Sequence, residues 1–291
     1  MNVQVQPLAP GEIVPSHELV PSTMRELGNR FPCGSRHHGP LAPFEFRPPN
    51  LGTLKAIGEL KARGKKDLNT PGKLGCASLV RALTAFDGRD TSQGSEGSHV
   101  AALSQFTVGD VLYLGFAWQA EREPEGIEIR DQACGRCGGA FPSIRLDVRT
   151  LKVTTRPETV TDAEPLTVRV GLRRGFKLPD GQKVTTLLLR PPSWSETFWA
   201  LDETGWNNAA LLQAWTFKAA ICGTDASHDG IRPSITFREI DQLWPEDCRL
   251  IDEALSKITP TPELRVEVTC PDCGADSLIG MDWSHPDFFG G

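Results

Sequence analysis

The 291-residue sequence has no long apolar run and little excess charge. Its hydrophobic stretches are much shorter than the roughly 20 residues that cross a bilayer, so no membrane span is expected. With 31 Lys and Arg against 37 Asp and Glu, the formal net charge is −6, and no overall basic field favours nucleic acid. The first 16 residues lack the basic start and apolar core of a secretory signal. We therefore expect a soluble protein of a reducing compartment.

Motifs that carry common catalytic chemistry are also missing. The sequence has no Walker A loop, no GxGxxG fingerprint, no HExxH and no GxSxG. Five of the histidines stand in loop-like contexts without an evident acidic or nucleophilic partner: His17, His37, His38, His99 and His228. We therefore expect that the protein is not an enzyme and has no catalytic residue, organic cofactor or small-molecule substrate.

Two similar cysteine motifs stand out against these absences. Residues 131–141 (DQACGRCGGAF, the first knuckle) contain Cys134 and Cys137, and residues 267–277 (EVTCPDCGADS, the second knuckle) contain Cys270 and Cys273. A CxxC turn aims two thiolates at one point, and the following glycine lets the chain turn tightly. Because zinc prefers four such ligands in a tetrahedron, each knuckle supplies half of a site.

The other four cysteines suit structural positions. Cys33 stands in a turn-like segment, and three lie in apolar, helix-like runs: Cys76, Cys222 and Cys248. An even number of cysteines can indicate disulfides, but the chain is long and shows no secretion signal. A metal site is therefore the better prediction for the two knuckles.

Two parts of the chain carry the same features in the same order, which predicts an internal duplication. Each has an apolar strand ending in Arg-Pro-Pro, at residues 47–49 and 190–192. Next come a helical run ending on glycine (79–88 and 214–223), an amphipathic helix (107–121 and 244–258), a strand and a knuckle. Pro179-Asp180-Gly181 predicts a hairpin turn, and Pro32-Cys33-Gly34 is expected to occupy the matching place.

These features predict an α+β fold of two pseudo-repeated units, each with a β-hairpin, helices and a CxxC strand knuckle, joined at a zinc-ribbon-like site. Residues 1–25 form an extended, proline-rich arm, which either orders against a partner or frays. The first repeat spans residues 26–153, a linker spans 154–165, and the second repeat with a C-terminal tail spans 166–291.

Three arrangements of the knuckles compete. In the first, the repeats pair about an approximate two-fold axis and share one structural Zn²⁺ through Cys134, Cys137, Cys270 and Cys273. In the second, each knuckle recruits further ligands; His285 follows the second knuckle, but no histidine lies near Cys137. In the third, a CxxC pair acts in redox chemistry, which requires the motif at a helix start, whereas the residues after Cys137 predict a strand. The shared zinc is our prediction.

This order of elements resembles the T-even-type phage baseplate proteins, small assembly factors for the central hub of contractile tails. The resemblance is carried by Leu178-Pro179-Asp180-Gly181, similar to an LPSG hairpin, and by the run VEVTCPDCG at 266–274. It covers most of 166–280 and, more loosely, 26–153. It implies a non-enzymatic protein that binds tail, baseplate or hub proteins in the host cytoplasm during assembly, or is retained in a virion or injection-system particle.

The predicted function is therefore that of a structural or assembly (chaperone-like) protein of a phage tail baseplate or related contractile injection system. The alternative is a zinc-ribbon adaptor or nucleic-acid-binding module, which a basic face at these residues would favour: Arg145, Arg149, Arg169, Arg173 and Arg174. An enzyme with an unrecognised site would be indicated by a deep polar pocket with converging titratable groups.

Overall fold

The computed structural model describes residues 5–34, 42–67, 70–129, 132–141, 143–160, 165–201, 208–226, 235–263 and 265–280. Over these ranges the chain combines helices with several small antiparallel sheets, which confirms the predicted α+β class. No helix in the described ranges is long and apolar enough to cross a membrane. Several residues singled out in the sequence lie outside these ranges: His37, His38, His228, His285 and the C-terminal tail from 281.

The elements up to residue 160 are short strands placed around longer helices. They are β1 (Ile13–Pro15), β2 (Val20–Thr23), α1 (Met24–Leu27), β3 (Phe44–Phe46), α2 (Leu51–Asp67), α3 (Pro71–Ala82), β4 (Leu83–Phe86), β5 (Arg89–Asp90), α4 (Glu96–Leu103), α5 (Val108–Arg122), β6 (Ile127–Ile129), β7 (Ile144–Leu146), a 3-10 turn (Val148–Thr150) and β8 (Lys152–Thr155).

The elements from residue 165 onward begin with a long hairpin. They are β9 (Val168–Lys177), β10 (Lys183–Leu189), α6 (Trp194–Phe198), α7 (Ala209–Ala220), β11 (Ile221–Thr224), α8 (Phe237–Ile240), α9 (Pro245–Ser256), β12 (Arg265–Thr269) and β13 (Asp276–Gly280). The predicted turn at Pro179-Asp180-Gly181 joins β9 to β10, where the Gly181 amide donates to the Leu178 carbonyl at 2.9 Å.

The described part of the N-terminal arm pairs with its own chain. β1 adds to the edge of the sheet β1-β9-β10-β11, with Ile13 opposite Val170. β2 pairs with β8, with Val20 opposite Thr155. β8 therefore extends two residues into the segment predicted to be a linker.

Two main apolar cores and two small ones hold the described elements together. The first surrounds α3 and α5 and includes the fully buried Trp118 and Phe44. The second packs the β9–β10 hairpin against α9, with Val170 and Ile251 both fully buried. One small core lies under the two knuckles, so both knuckles pack against buried apolar side chains.

Each Arg-Pro-Pro segment leaves its strand in the same way. The Arg47 amide donates to the Ala82 carbonyl at 2.7 Å, and the Arg190 amide donates to the Ala220 carbonyl at 3.0 Å. Both strands have an irregularity just before the arginine, and both pair with the strand that follows a helix. The prediction that residues 79–88 and 214–223 are helical up to a glycine cap was wrong, because pairing with β3 and β10 converts the last residues of each run into β4 and β11.

A buried aspartate begins each of the two amphipathic helices. Asp110, in the capping box of α5, accepts the Cys33 amide at 2.7 Å, and burial raises the pKa of this carboxyl to about 7. Asp247, in the first turn of α9, accepts the amides of Arg173 at 2.7 Å and Gly175 at 3.1 Å. The prediction that Cys33 matches Asp180 was wrong: the Cys33 amide donates to Asp110 as the Arg173 amide donates to Asp247, so Cys33 corresponds to Arg173.

We expect Asp247→Asn to destabilise the chain by about 2–4 kcal/mol, because an amide would turn a donor toward backbone N–H groups that the carboxylate now satisfies. Urea unfolding measures this loss. The matched control is Asp252→Asn on the same helix, where the exposed carboxylate accepts a hydrogen bond from Gln213 at 2.6 Å and the cost should stay below about 1 kcal/mol. Equal losses in the two variants would contradict the role given to Asp247.

Candidate metal centre

Each knuckle is a strand, a turn and a returning strand. The first is carried by the hairpin β6–β7 and the second by β12–β13. In the first, the Cys134 amide donates to the Gly139 carbonyl at 2.8 Å; in the second, Cys270 donates to Ala275, also at 2.8 Å. The two knuckles share a second backbone hydrogen bond. The Gly138 amide donates to the Cys134 carbonyl, and the Gly274 amide donates to the Cys270 carbonyl, each at 2.9 Å.

The glycine after each CxxC allows this turn. Gly138 has a φ of 73° and Gly274 a φ of 65°, in the left-handed region where a side chain is strained. The turn brings both thiols of a knuckle to the same side of its hairpin. The CxxCG pattern is thus a local signal that sequence inspection can detect.

The four predicted cysteines meet in one cluster. All four sulfur atoms lie within 4.8 Å of one another. The Sγ atoms of Cys134 and Cys273 are 3.8 Å apart, and those of Cys137 and Cys270 are 3.7 Å apart. Sulfurs placed tetrahedrally at about 2.3 Å from a zinc ion would be about 3.8 Å from each other. The cluster could therefore hold a metal ion, and its size is consistent with zinc without identifying it.

The sulfurs are supported by backbone donors and a small apolar core. Hydrogen bonds from the amides of Cys137 and Arg136 lower the pKa of the Cys134 thiol to about 6, which favours the thiolate that binds metal. Cys134 and Cys270 are 3% and 2% exposed, while the second cysteine of each knuckle is exposed. Phe141 and Ile279 pack beneath them. The fold thus brings the four thiols together on packed side chains and backbone donors.

The structure agrees with the first of the three predicted arrangements, because the four cysteines of the shared site lie together. Neither CxxC lies at the start of a helix, because each is followed by a strand, β7 or β13. His285, the ligand considered for a separate second site, lies outside the described residues. Among the residues that the structure describes, no other group of three or more His, Cys, Asp and Glu side chains is arranged to hold a metal.

Sequence inspection missed the contact between the two turns. Gly139 lies against the Asp272 carboxylate of the other knuckle, and a Cβ at this position would require that exposed side chain to move. The Ser277 hydroxyl also lies 3.7 Å from the Cys134 sulfur. These contacts join residues far apart in the chain and have no local signal.

The other candidate residues have structural surroundings where they are described. His99 is buried, with its Nε2 2.6 Å from the Gln93 carbonyl oxygen, and the His17 Nδ1 is 3.1 Å from the Ser16 hydroxyl. Neither belongs to a cluster of metal-ligating side chains in the described part of the chain.

Three of the five arginines considered for a basic face contact their own chain. Arg145 pairs with Glu125 at 3.2 Å and Arg174 with Glu246 at 2.6 Å. Arg149 donates to a backbone carbonyl at 2.9 Å. These pairings reduce the local positive field, and the nucleic-acid alternative stays a prediction.

The comparisons with known proteins identify no relative. No family model, curated protein or solved structure matches the chain. Any function therefore has to be argued from the cysteine cluster and from the arrangement of the elements that carry it.

Proposed function

We propose that the chain is a structural or assembly protein that acts by binding other proteins, cross-linked internally by one structural zinc ion. Its motifs resemble those of baseplate proteins from contractile phage tails or related injection systems. The observation that carries this proposal is the cluster of four cysteine sulfurs within 4.8 Å, two from each knuckle. Four thiolates fill the coordination sphere of zinc, so the ion has no open position for substrate and acts on folding.

The proposal includes an internal duplication, because two parts of the chain repeat several specific contacts. Each has an Arg-Pro-Pro segment hydrogen-bonded to the residue that ends a helix. Each also has an aspartate in the first turn of a later helix that accepts upstream backbone amides, and a knuckle with the same backbone bonds. A zinc ion taking two sulfurs from each repeat would join the two copies about an approximate two-fold axis.

Two clefts among the described residues are suited to binding another protein. The clefts beside Trp244 and beside Trp199 are open to solvent and have accessible volumes of about 520 and 550 Å³. Each is lined by an aromatic side chain with lysine and arginine, without a nucleophile held next to a base. Such surfaces suit contact with another protein.

Co-expression with the products of neighbouring genes tests the function. We expect the zinc-loaded chain to elute in size-exclusion chromatography as a stable complex with a tail, baseplate or hub protein, and Cys270→Ser to weaken that complex. The Cys248→Ser variant, which changes a cysteine outside the cluster, should bind like the wild type. Elution alone beside every neighbour, together with salt-dependent binding to duplex DNA, would instead support the nucleic-acid alternative.

A further inference from the structure

The cysteine cluster has two exposed and two buried members, one of each kind in each knuckle. Cys137 and Cys273 are exposed, whereas Cys134 and Cys270 are buried. The Cys137 sulfur accepts the Gly139 amide at 3.4 Å in an exposed hydrogen bond. Because oxidation of cysteine follows exposure and thiolate character, an oxidant in solution reaches the second cysteine of each knuckle first.

Each exposed cysteine lies beside the buried cysteine of the other knuckle. The sulfurs of Cys137 and Cys270 are 3.7 Å apart, and those of Cys273 and Cys134 are 3.8 Å apart. Both turns lie wholly within described ranges, 132–141 and 265–280. A cysteine oxidised at the surface therefore has a second thiol next to it, which is the arrangement of redox-sensing cysteines with a resolving partner.

The fold directs this pairing between the knuckles instead of within one CxxC motif. The two thiols of one knuckle lie on the same side of their hairpin, so their side chains run alongside each other. The thiols of different knuckles come from opposite hairpins and face each other across the cluster. A CxxC motif that forms its own disulfide in thioredoxin-like proteins opens a helix, whereas here each motif leads into a strand, β7 or β13.

We propose, building on the zinc-binding function proposed above, that the cluster is also a peroxide-sensitive thiol site that oxidises to two disulfides between the knuckles. The pairs are Cys137 with Cys270 and Cys134 with Cys273. Reduced, the four sulfurs hold a metal ion; oxidised, they join the two hairpins covalently. The cluster thus keeps the two predicted repeats connected in both states.

Hydrogen peroxide supplies the oxidising equivalents. The Cys137 thiolate attacks one peroxide oxygen, the O–O bond breaks, and the leaving hydroxide takes a proton from solvent to become water. The Cys270 thiolate then attacks the sulfenic acid on Cys137, forming the S–S bond and expelling hydroxide, which becomes a second water. Cys273 and Cys134 react in the same way, so two peroxides oxidise four thiols. Sulfurs in a disulfide no longer bind metal as thiolates, so oxidation releases the ion.

Disulfide mapping of the purified chain tests the proposal. Zinc is counted in the reduced chain, two equivalents of hydrogen peroxide are added, and the remaining thiols are blocked with N-ethylmaleimide. Trypsin cleaves after Arg136, between the cysteines of the first knuckle, and Asp-N protease cleaves before Asp272, between those of the second. Each of the four cysteines then lies on its own peptide, so every possible pairing gives a different linked mass.

We expect the two cross-knuckle pairs to be the main linked peptides. About one zinc ion should be released for every two peroxides consumed, and dithiothreitol with added zinc should restore the metal. Dimedone, which traps sulfenic acids, should label Cys137 and Cys273 ahead of the two buried cysteines. The Cys248→Ser variant, changed outside the cluster, should give the same map, and the fully buried Cys76 should stay reduced.

The outcomes separate this proposal from the proposed function. Disulfides within a motif, or oxidation of the four thiols without any disulfide, would overturn the cross-knuckle pairing even if the reduced chain carries one zinc ion. A reduced chain without zinc would contradict the proposed function, and the disulfide map of that chain would still decide the pairing.

Discussion

Replacing Cys134 or Cys270 by serine is expected to release the metal and to remove most of the stability of the two hairpins. Each variant leaves three thiolates and a hydroxyl, which binds zinc poorly because it stays protonated at neutral pH. Structural zinc contributes about 10–16 kcal/mol of apparent binding free energy in small zinc-finger peptides, and part of this is lost with one ligand. Elemental analysis of the purified chain, with thermal unfolding followed by circular dichroism, measures both effects. Chelator treatment of the wild type should reproduce the serine variants.

The control for this prediction is Cys248→Ser. Cys248 is half-buried on α9, outside the cluster, and packs against the second core. This variant should keep one zinc ion per chain and lose no more than about 1–2 kcal/mol. If Cys134→Ser loses its zinc while Cys270→Ser keeps a full equivalent, the two knuckles do not share a site.

Gly109→Ala is expected to destabilise the chain by more than about 3 kcal/mol, beyond the usual range for a single methyl group. Gly109 lies in the first turn of α5, and a Cβ there would overlap the carbonyl oxygen of Pro260, which follows α9. The atoms that the Cβ would meet belong to the backbone of Pro260 and Thr261, so they cannot move aside by changing a rotamer. Helix α5 and the segment that follows α9 would have to separate, and urea unfolding measures the cost.

Gly58→Ala is the matched control. Gly58 lies in α2 at an exposed position, and a Cβ there meets no atom within 4 Å. Alanine should stabilise this helix by about 0.5–1 kcal/mol relative to glycine. Opposite signs at the two glycines are expected; a neutral Gly109→Ala would mean that α5 does not approach Pro260 this closely.

The features that sequence inspection predicted are those with local signals. The helices predicted at 107–121 and 244–258 and the turn at Pro179-Asp180-Gly181 each depend on neighbouring residues, and each is present. The CxxCG motifs are also local. The cluster of four sulfurs could be predicted because each motif supplies two of the four ligands that zinc prefers.

The features that it missed depend on contacts between distant residues. Residues 83–86 and 221–224 continue helical runs, yet they form strands because β3 and β10 offer free edges. The described part of the N-terminal arm likewise adds β1 to the β9 edge.

A single metal ion is expected to be held by sulfur from both knuckles. X-ray absorption at the zinc edge on the purified chain, combined with elemental analysis, tests this arrangement. We predict one zinc ion per chain, surrounded by four sulfurs at about 2.3 Å. A nitrogen or oxygen ligand in that shell, two zinc ions per chain, or no bound zinc after purification without chelator would contradict it.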